Sequence, residues 1–358
     1  MTNPTPAAHL LCLGLRGALP GDPLLESDLD ACRRAGVGAV ILFDVDVPTY
    51  RRHLAAGLPP EEARRRAPRN ILDPAQLLTL TDYIRAVLGD HVLIAVDQEG
   101  GQVARLAPWR GFGADPSARA FAALAPAEQV RAARAQAAQL AAAGIDLNFA
   151  PCVDLDTGAD NPIIGGLDRA YAADPDVVTA CARTVNAAHR EMGVAACLKH
   201  FPGHGSSRAD THLGAVDVTD TWNREAELAP YRALRDEPGT AVMVAHVRHR
   251  GLDADLPASL SPAVVDGLLR RELGFQGVVV ADSIDMRAVA DRFSPEEAAI
   301  RAVLAGADLV VDGFNLTDRS EHPAPALAAA LADAVPAARL DSSLRRLHTL
   351  REQIGPRA

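Results

Sequence analysis

Eight short apolar runs, each followed by a helical pattern, predict an α/β chain folded as one (β/α)8, or TIM, barrel. Two further observations point the same way. The runs are continuous rather than alternating, as parallel strands covered on both faces require. Polar or ionisable residues end nearly every run: Asp44, Asp97, Asp154, Lys199, His200, His246, Asp282 and Asp312. A barrel mouth collects its site from all the strand C-terminal ends, whereas a doubly wound open sheet concentrates it at one switch point.

The strands are read at residues 10–15, 39–43, 92–96, 146–149, 195–198, 241–245, 277–280 and 308–311. Each is short, rich in Val, Ile, Leu and Ala, and bounded by turn residues. Helical patterns separate them at 74–88, 126–143, 176–192 and 262–273. Another starts at Ser294, an N-cap serine with Pro295 in the first turn and Glu297 three residues on. Helices near 324–335 and 342–354 finish the chain, and the segment 322–358 is read as packing on the barrel within one domain, 1–358. The charged stretch 59–70 reads as a solvated helix in a long connection.

At 358 residues and 48% hydrophobic, the chain can bury a large core. A net charge of −10 argues against nucleic acid or an anionic membrane as partner. The five cysteines (Cys12, Cys32, Cys152, Cys181, Cys197) are odd in number and form no CxxC pair, which fits buried free thiols in a reducing compartment. The N-terminus carries no basic segment leading into a long apolar core, and no run reaches the roughly 18 apolar residues of a span. The expectation is a soluble cytoplasmic protein, monomeric or weakly homo-oligomeric, with neither a nucleic-acid nor a membrane partner.

Of 36 Lys+Arg residues only Lys199 is lysine. It lies in Lys199-His200-Phe201-Pro202-Gly203-His204-Gly205, followed by Asp210-Thr211-His212. A chain that uses arginine for every other cation keeps a compact ammonium where a planar guanidinium would not fit. Three histidines and an aspartate within thirteen residues make this a candidate site. Asp210 and His212, two residues apart, can hydrogen-bond, and a histidine so held shuttles a proton near neutral pH.

Three other clusters carry candidate chemistry. Asp97-Gln98-Glu99-Gly100-Gly101 runs on to Arg105, and its glycines permit close backbone approach while Asp97 and Arg105 can reach one polar ligand. The loop Asn161-Pro162-Ile163-Ile164-Gly165 leads to Asp168-Arg169, with an arginine able to fork onto a polar group. Asp282 ends an apolar run in Ala281-Asp282-Ser283-Ile284-Asp285-Met286, where a partly desolvated carboxylate suits nucleophilic attack. Each has a plainer reading as a turn, an ion pair or a helix cap.

Together these motifs resemble the catalytic barrel of glycoside hydrolase family 3, most closely its bacterial single-domain β-N-acetylglucosaminidase branch. The resemblance runs from about Leu10 to Gly313. Its most specific signal is the lysine motif combined with Asp210-Thr211-His212; Met243 with His246, and Pro257-Ala258-Ser259-Leu260-Ser261, also match. The resemblance implies a retaining exo-β-N-acetylglucosaminidase that removes terminal β-linked N-acetylglucosamine through a covalent glycosyl-aspartate. Asp282 matches the nucleophile, His212 the acid/base and Asp210 its partner. Asp97, Arg105, Arg169, Lys199 and His200 match positions that hold the sugar ring, with His246 and Met286 counted among the substrate-binding set. Retention needs a carboxylate nucleophile near the acid. The implied setting is cytoplasmic muropeptide recycling, with a small N-acetylglucosamine-containing muropeptide or disaccharide as partner and neither cofactor nor metal.

Two departures stand out. The family reads Ser-Asp-Asp-Leu-x-Met around its nucleophile, so Asp285 is a rival carboxylate, although the register from Gly277 to Met286 selects Asp282. Two extra residues stand before Arg169. The chain is also too short for the second domain that supplies a carboxylic acid elsewhere in the family, which agrees with a histidine acid on the barrel. Alternatives on the same scaffold are a β-glucosidase or a phosphorylase. Other classes are a metal-dependent hydrolase built on His200, His204, His212, His246 and Asp210, a Schiff-base lyase through Lys199, and a non-catalytic sugar-binding protein. The histidine spacing fits no HxH or HExxH pattern, and Lys199 disfavours a nearby dication.

Overall fold

A computed structural model describes residues 5–158 and 160–355. Eight parallel strands close a barrel: β1 Leu11–Gly14, β2 Ala39–Ile41, β3 Leu93–Val96, β4 Leu147–Asn148, β5 Ala195–Phe201, β6 Thr240–Val244, β7 Val279–Ala281 and β8 Leu309–Asp312. They neighbour one another in chain order, and β1 closes the ring by pairing β8 (Leu11 with Val310) on one side and β2 (Cys12 with Ala39) on the other. Each predicted run overlaps one strand. The strands are buried along their whole length because side chains facing the axis and side chains facing the helices are both covered.

The helices start where the sequence places a capping side chain before a proline. Asp22, Asp73, Asp174 and Ser294 each accept a first-turn amide, and Pro23, Pro74, Pro175 and Pro295 follow them. Ala263–Glu272 winds wider than an α-helix, and Leu273 N bonds the Leu268 carbonyl five residues back. Two final helices, Ala324–Ala334 and Ala337–Ile354, lie against the barrel. The second is clasped at the barrel's N-terminal face by buried Asp308, which accepts Arg270 Nη2 at 2.5 Å, Ser343 Oγ at 2.7 Å and Arg346 Nη1 at 3.1 Å. Among the described residues no helix is long and apolar enough to cross a membrane.

Two expectations need correction. β5 continues past Leu198, so Lys199 and His200 are strand residues rather than strand-end ones. Their polar atoms are satisfied by carboxylates on neighbouring segments, which lets the strand run on. The charged stretch 59–70 is not simply solvated. It follows helix Val47–Ala55 and contains helix Pro60–Arg65, and its arginines pin the whole connection to the barrel mouth. Arg69 is buried and donates to the carbonyls of Leu15 and Phe314 and, at 2.6 Å, to Asp46. Arg64 reaches Asp44 at 3.0 Å.

Candidate active site

The C-terminal ends of the strands enclose a cavity of about 430 Å³. That is within the range of small-ligand sites and ample for a single sugar ring. Its floor is apolar, with Ile41, Phe149, Met243 and Val311, and its walls are charged. Part of the shape follows from the sequence: Asp97 and Asp282 stand just beyond the apolar runs of β3 and β7.

One wall is a closed charge network. Lys199 Nζ lies 2.8 Å from Asp97 Oδ1 and 2.7 Å from Glu99 Oε1. Arg169 grips the same Glu99 with its fork, Nε at 2.8 Å and Nη2 at 2.7 Å, and its Nη1 donates to the Ile163 carbonyl. Arg105 stands 3.7 Å from Asp97 and 4.0 Å from Asp44. Burial pushes the Asp97 and Glu99 carboxyls up, but the adjacent cations outweigh it and hold both below the ordinary carboxylate range. Burial disfavours the Lys199 ammonium, yet Asp97 and Glu99 hold its pKa above the usual value. Lys199 is therefore a fixed cation and a poor Schiff-base amine. Lys199 is thus a buried lysine capping carboxylates, and those same groups face the cavity.

His200 is oriented from behind. Its Nδ1 sits 2.6 Å from Asp154 Oδ2, while Nε2 lies toward the cavity, 3.3 Å from Arg169. Burial opposes ionisation of Asp154, but His200 and His204 bring its pKa down to about 2. Among the described residues, one group of possible metal ligands is Cys152, Asp154 and His200. Its atoms already hydrogen-bond one another, with Cys152 Sγ 3.3 Å from Asp154, and burial pushes the Cys152 thiol well up.

Opposite Asp97, four strands round the ring, Asp282 follows β7 and opens into the cavity half-buried. Ser283 N donates to its Oδ1 at 2.7 Å. Burial pushes its pKa up, but the imidazoles of His246, His200 and His212 bring it below the ordinary value. Asp285 is the contrasting carboxyl. It accepts Ser283 Oγ at 2.6 Å, and burial together with the Asp312 charge pushes its pKa up. Asp282 is thus the member of the pair whose ionised form the site favours.

His212 lies on the loop after β5 and lines the same cavity. Its ring Nδ1 and its backbone amide both lie 2.8 Å from Asp210 Oδ1. Among the described residues its Nε2 makes no hydrogen bond, so that nitrogen is open to a ligand. Burial lowers its pKa, but the Asp210 carboxylate and then Asp282 raise it above the usual value. The site thus pairs an anionic carboxylate with an imidazole whose proton affinity is raised.

The cavity brings together Asp97, Arg105, Arg169, Lys199, His200, Asp210, His212, Asp282 and Met286. His246 is not among its walls. It is fully buried, with Nδ1 2.6 Å from Ser259 Oγ and Nε2 2.8 Å from the Ser283 carbonyl, so both nitrogens are occupied. It underpins the backbone beside Asp282 instead of meeting a ligand. Arg169 does line the cavity, with its fork engaged by Glu99. Gly100 and Gly101 face the chain at 115–117, where a Gly100 Cβ would lie 2.1 Å from the Pro116 carbonyl oxygen, so their close approach is to protein. Sequence reasoning passed over Glu99, although its motif was in hand. It also missed Tyr50 and Arg64, which the long β2 connection brings to the cavity; an Arg-rich insertion beside Asp44 was their signal.

The Glycosyl hydrolase family 3 N terminal domain model matches residues 34–350. Beta-hexosaminidase LpqI of Mycobacterium tuberculosis is 41% identical over 226 residues, 61% of this chain and 57% of that protein. The solved family 3 beta-N-acetylglucosaminidase of Paenibacillus sp. strain FPU-7 superposes with a TM-score of 0.81 at 33% identity, covering 98% of this chain and 62% of the other. The beta-N-acetylhexosaminidase of Beutenbergia cavernae also gives 0.81, at 30% identity and 97% coverage of both chains. This chain therefore spans under two thirds of the first two proteins and nearly all of the third. Because the family model runs through the barrel strands from β2 to β8 and both sides of the cavity, the chain belongs to glycosyl hydrolase family 3.

Proposed function

We propose that this protein is a retaining, exo-acting β-N-acetylglucosaminidase that forms a covalent glycosyl intermediate on Asp282. The observation that carries this reading is one cavity holding an anionic carboxylate, Asp282, and an imidazole with a raised pKa, His212. The Asp97, Lys199, Arg105 and His200 wall supplies charged hydrogen-bond partners for sugar hydroxyls. His212 protonates the leaving oxygen while Asp282 attacks the anomeric carbon, then activates the water that releases the sugar. The names of the similar proteins, beta-hexosaminidase and beta-N-acetylglucosaminidase, support the sugar. A cytoplasmic role on muropeptides belongs to the same proposal. It rests on the family resemblance and on five buried free cysteines, which suit a reducing compartment.

The test is mass spectrometry after incubation with a 5-fluoro N-acetylglucosaminide. A stable adduct on Asp282 is expected, and Asp282→Asn is expected to lose at least a thousandfold in turnover of an aryl β-N-acetylglucosaminide while keeping the wild-type melting temperature. An adduct elsewhere, or near-normal turnover by the variant, refutes the assignment. The same product, free N-acetylglucosamine, is expected in phosphate and in phosphate-free buffer.

A further inference from the structure

Behind the turn that leads from β5 to the His212 loop lies a carboxyl group the site does not use. Glu227 is in the first turn of helix Arg224–Leu234 and is only 3% exposed. It packs against Gly203, whose φ is +138° and where a Cβ would lie 2.1 Å from Glu227 Oε2. Donors on Ser206, Asn223 and Gly205 favour its ionised form, yet neither carboxyl oxygen closes a hydrogen bond of good geometry. Burial outweighs them, with the Asp154 charge adding to it, and the carboxyl is pushed up to about 7. A buried carboxyl lacking partners is costly where an apolar side chain of the same size would cost nothing.

The opposite face of this turn is firmly tied. His204 N donates to Asp154 Oδ1 at 2.7 Å, and Asn161 Nδ2 donates to the carbonyls of His204 and Gly205 at 2.8 Å each. A Gly205 Cβ would lie 2.3 Å from the Leu155 carbonyl oxygen, so the turn cannot move that way. Glu227 adds its contact at Gly203 to those that Asp154, Leu155 and Asn161 make with the turn. From the turn, the His204 ring reaches Thr211 Oγ1 at 3.5 Å, and Ala288 N bonds the Thr211 carbonyl. Thr211 is the residue between Asp210 and His212.

We infer that Glu227 is a positioning residue, whose carboxyl group backs the turn at 203–206 and, through His204 and Thr211, sets where the Asp210–His212 pair stands over Asp282. The inference rests on the proposed function, because it assigns the loop's task as proton transfer. It touches neither the sugar-binding wall nor Asp282.

The experiment uses the full chain and the variants Glu227→Gln and Glu227→Ala. Binding of N-acetylglucosamine by calorimetry is expected to stay within twofold of wild type. Glu227→Ala is expected to lose tenfold or more in kcat/KM on a methylphenyl glycoside, which needs protonation, and less than threefold on a dinitrophenyl glycoside, which does not. Glu227→Gln, which keeps the shape, recovers most of the loss. Hydrogen exchange at 208–214 is expected to quicken in Glu227→Ala while the helix 224–234 is unchanged, a readout that also serves if the alanine variant is poorly stable. Equal losses on both glycosides, or no change in exchange at 208–214, overturn the inference. Failure of the wild type to cleave either glycoside sinks the functional reading instead, and the exchange result then decides the positioning claim alone.

Discussion

Replacing Glu99 by glutamine tests the buried wall directly. The carboxylate receives two charge-assisted hydrogen bonds from Arg169, at 2.7 and 2.8 Å, and an ion pair from Lys199 at 2.7 Å, and its side chain is 4% exposed. The amide keeps the shape, but it turns a donor toward two cations and leaves them without a shared counter-charge. Removing one partner of a buried pair costs about 3–5 kcal/mol. With an unfolding entropy near 2.1 cal/mol/K per residue, 358 residues give about 0.75 kcal/mol per degree, so Tm should fall by roughly 4–7 °C. The pH dependence fixes the cause. Because the folded pKa of Glu99 lies below its unfolded value, its stabilisation is complete above about pH 4.3 and is lost as pH falls through the folded value. Urea denaturation at pH 7, 5, 4 and 3.5 should therefore show a constant deficit down to about pH 5 and a shrinking one below it. A drop in Tm under about 1 °C at pH 7, or a deficit that does not shrink on acidification, refutes the account.

Three further outcomes follow from the same geometry. His212→Ala should slow glycosides with poor leaving groups by about 10²–10⁴ while sparing activated aryl ones, read from a leaving-group series. Asp210→Asn removes the carboxylate that raises the His212 pKa, so the alkaline limb of the kcat/KM profile should move to lower pH, and an unmoved limb counts against His212 as the acid. Asp308→Asn strips the shared partner from Arg270, Arg339 and Arg346 at the face away from the cavity. It should cost about 3–5 kcal/mol in urea unfolding, with KM unchanged.

Much of the fold was legible because parallel strands covered on both faces must be apolar throughout, and because aspartate or serine before proline writes a helix start into the chain. The mouth was legible for a related reason: Asp97 and Asp282 each stand just beyond the last residue that had to be apolar. What stayed hidden depended on partners remote in sequence. Nothing near Glu99 signals that its counter-ions are 70 and 100 residues away, so it reads as a turn residue. His246 looked like a ligand-facing imidazole because its Ser259 and Ser283 partners only converge in the folded state. The arginines at 64 and 69 read as solvated charge, since composition cannot reveal that the carbonyls of Leu15 and Phe314 wait for Arg69 beneath them.

An imidazole acid here responds to the nucleophile's charge as a carboxylic acid would, but its base form is neutral. The two groups that raise the His212 pKa are Asp210 and Asp282, and only the second is consumed by the proposed reaction. When Asp282 becomes a glycosyl ester its charge disappears. Without that charge the imidazolium loses one of its two stabilising anions, so the His212 pKa falls. The shift favours the protonated ring when a leaving group needs a proton and the neutral ring when water must lose one, with no second anion beside the ester. Asp210, untouched by the chemistry, holds the ring in one tautomer throughout. The ring signals of His212 should accordingly titrate at lower pH in the fluoro-sugar-trapped enzyme than in the free enzyme. A His212 pKa that is unchanged or higher in the trapped form would break this link between the two halves of the reaction.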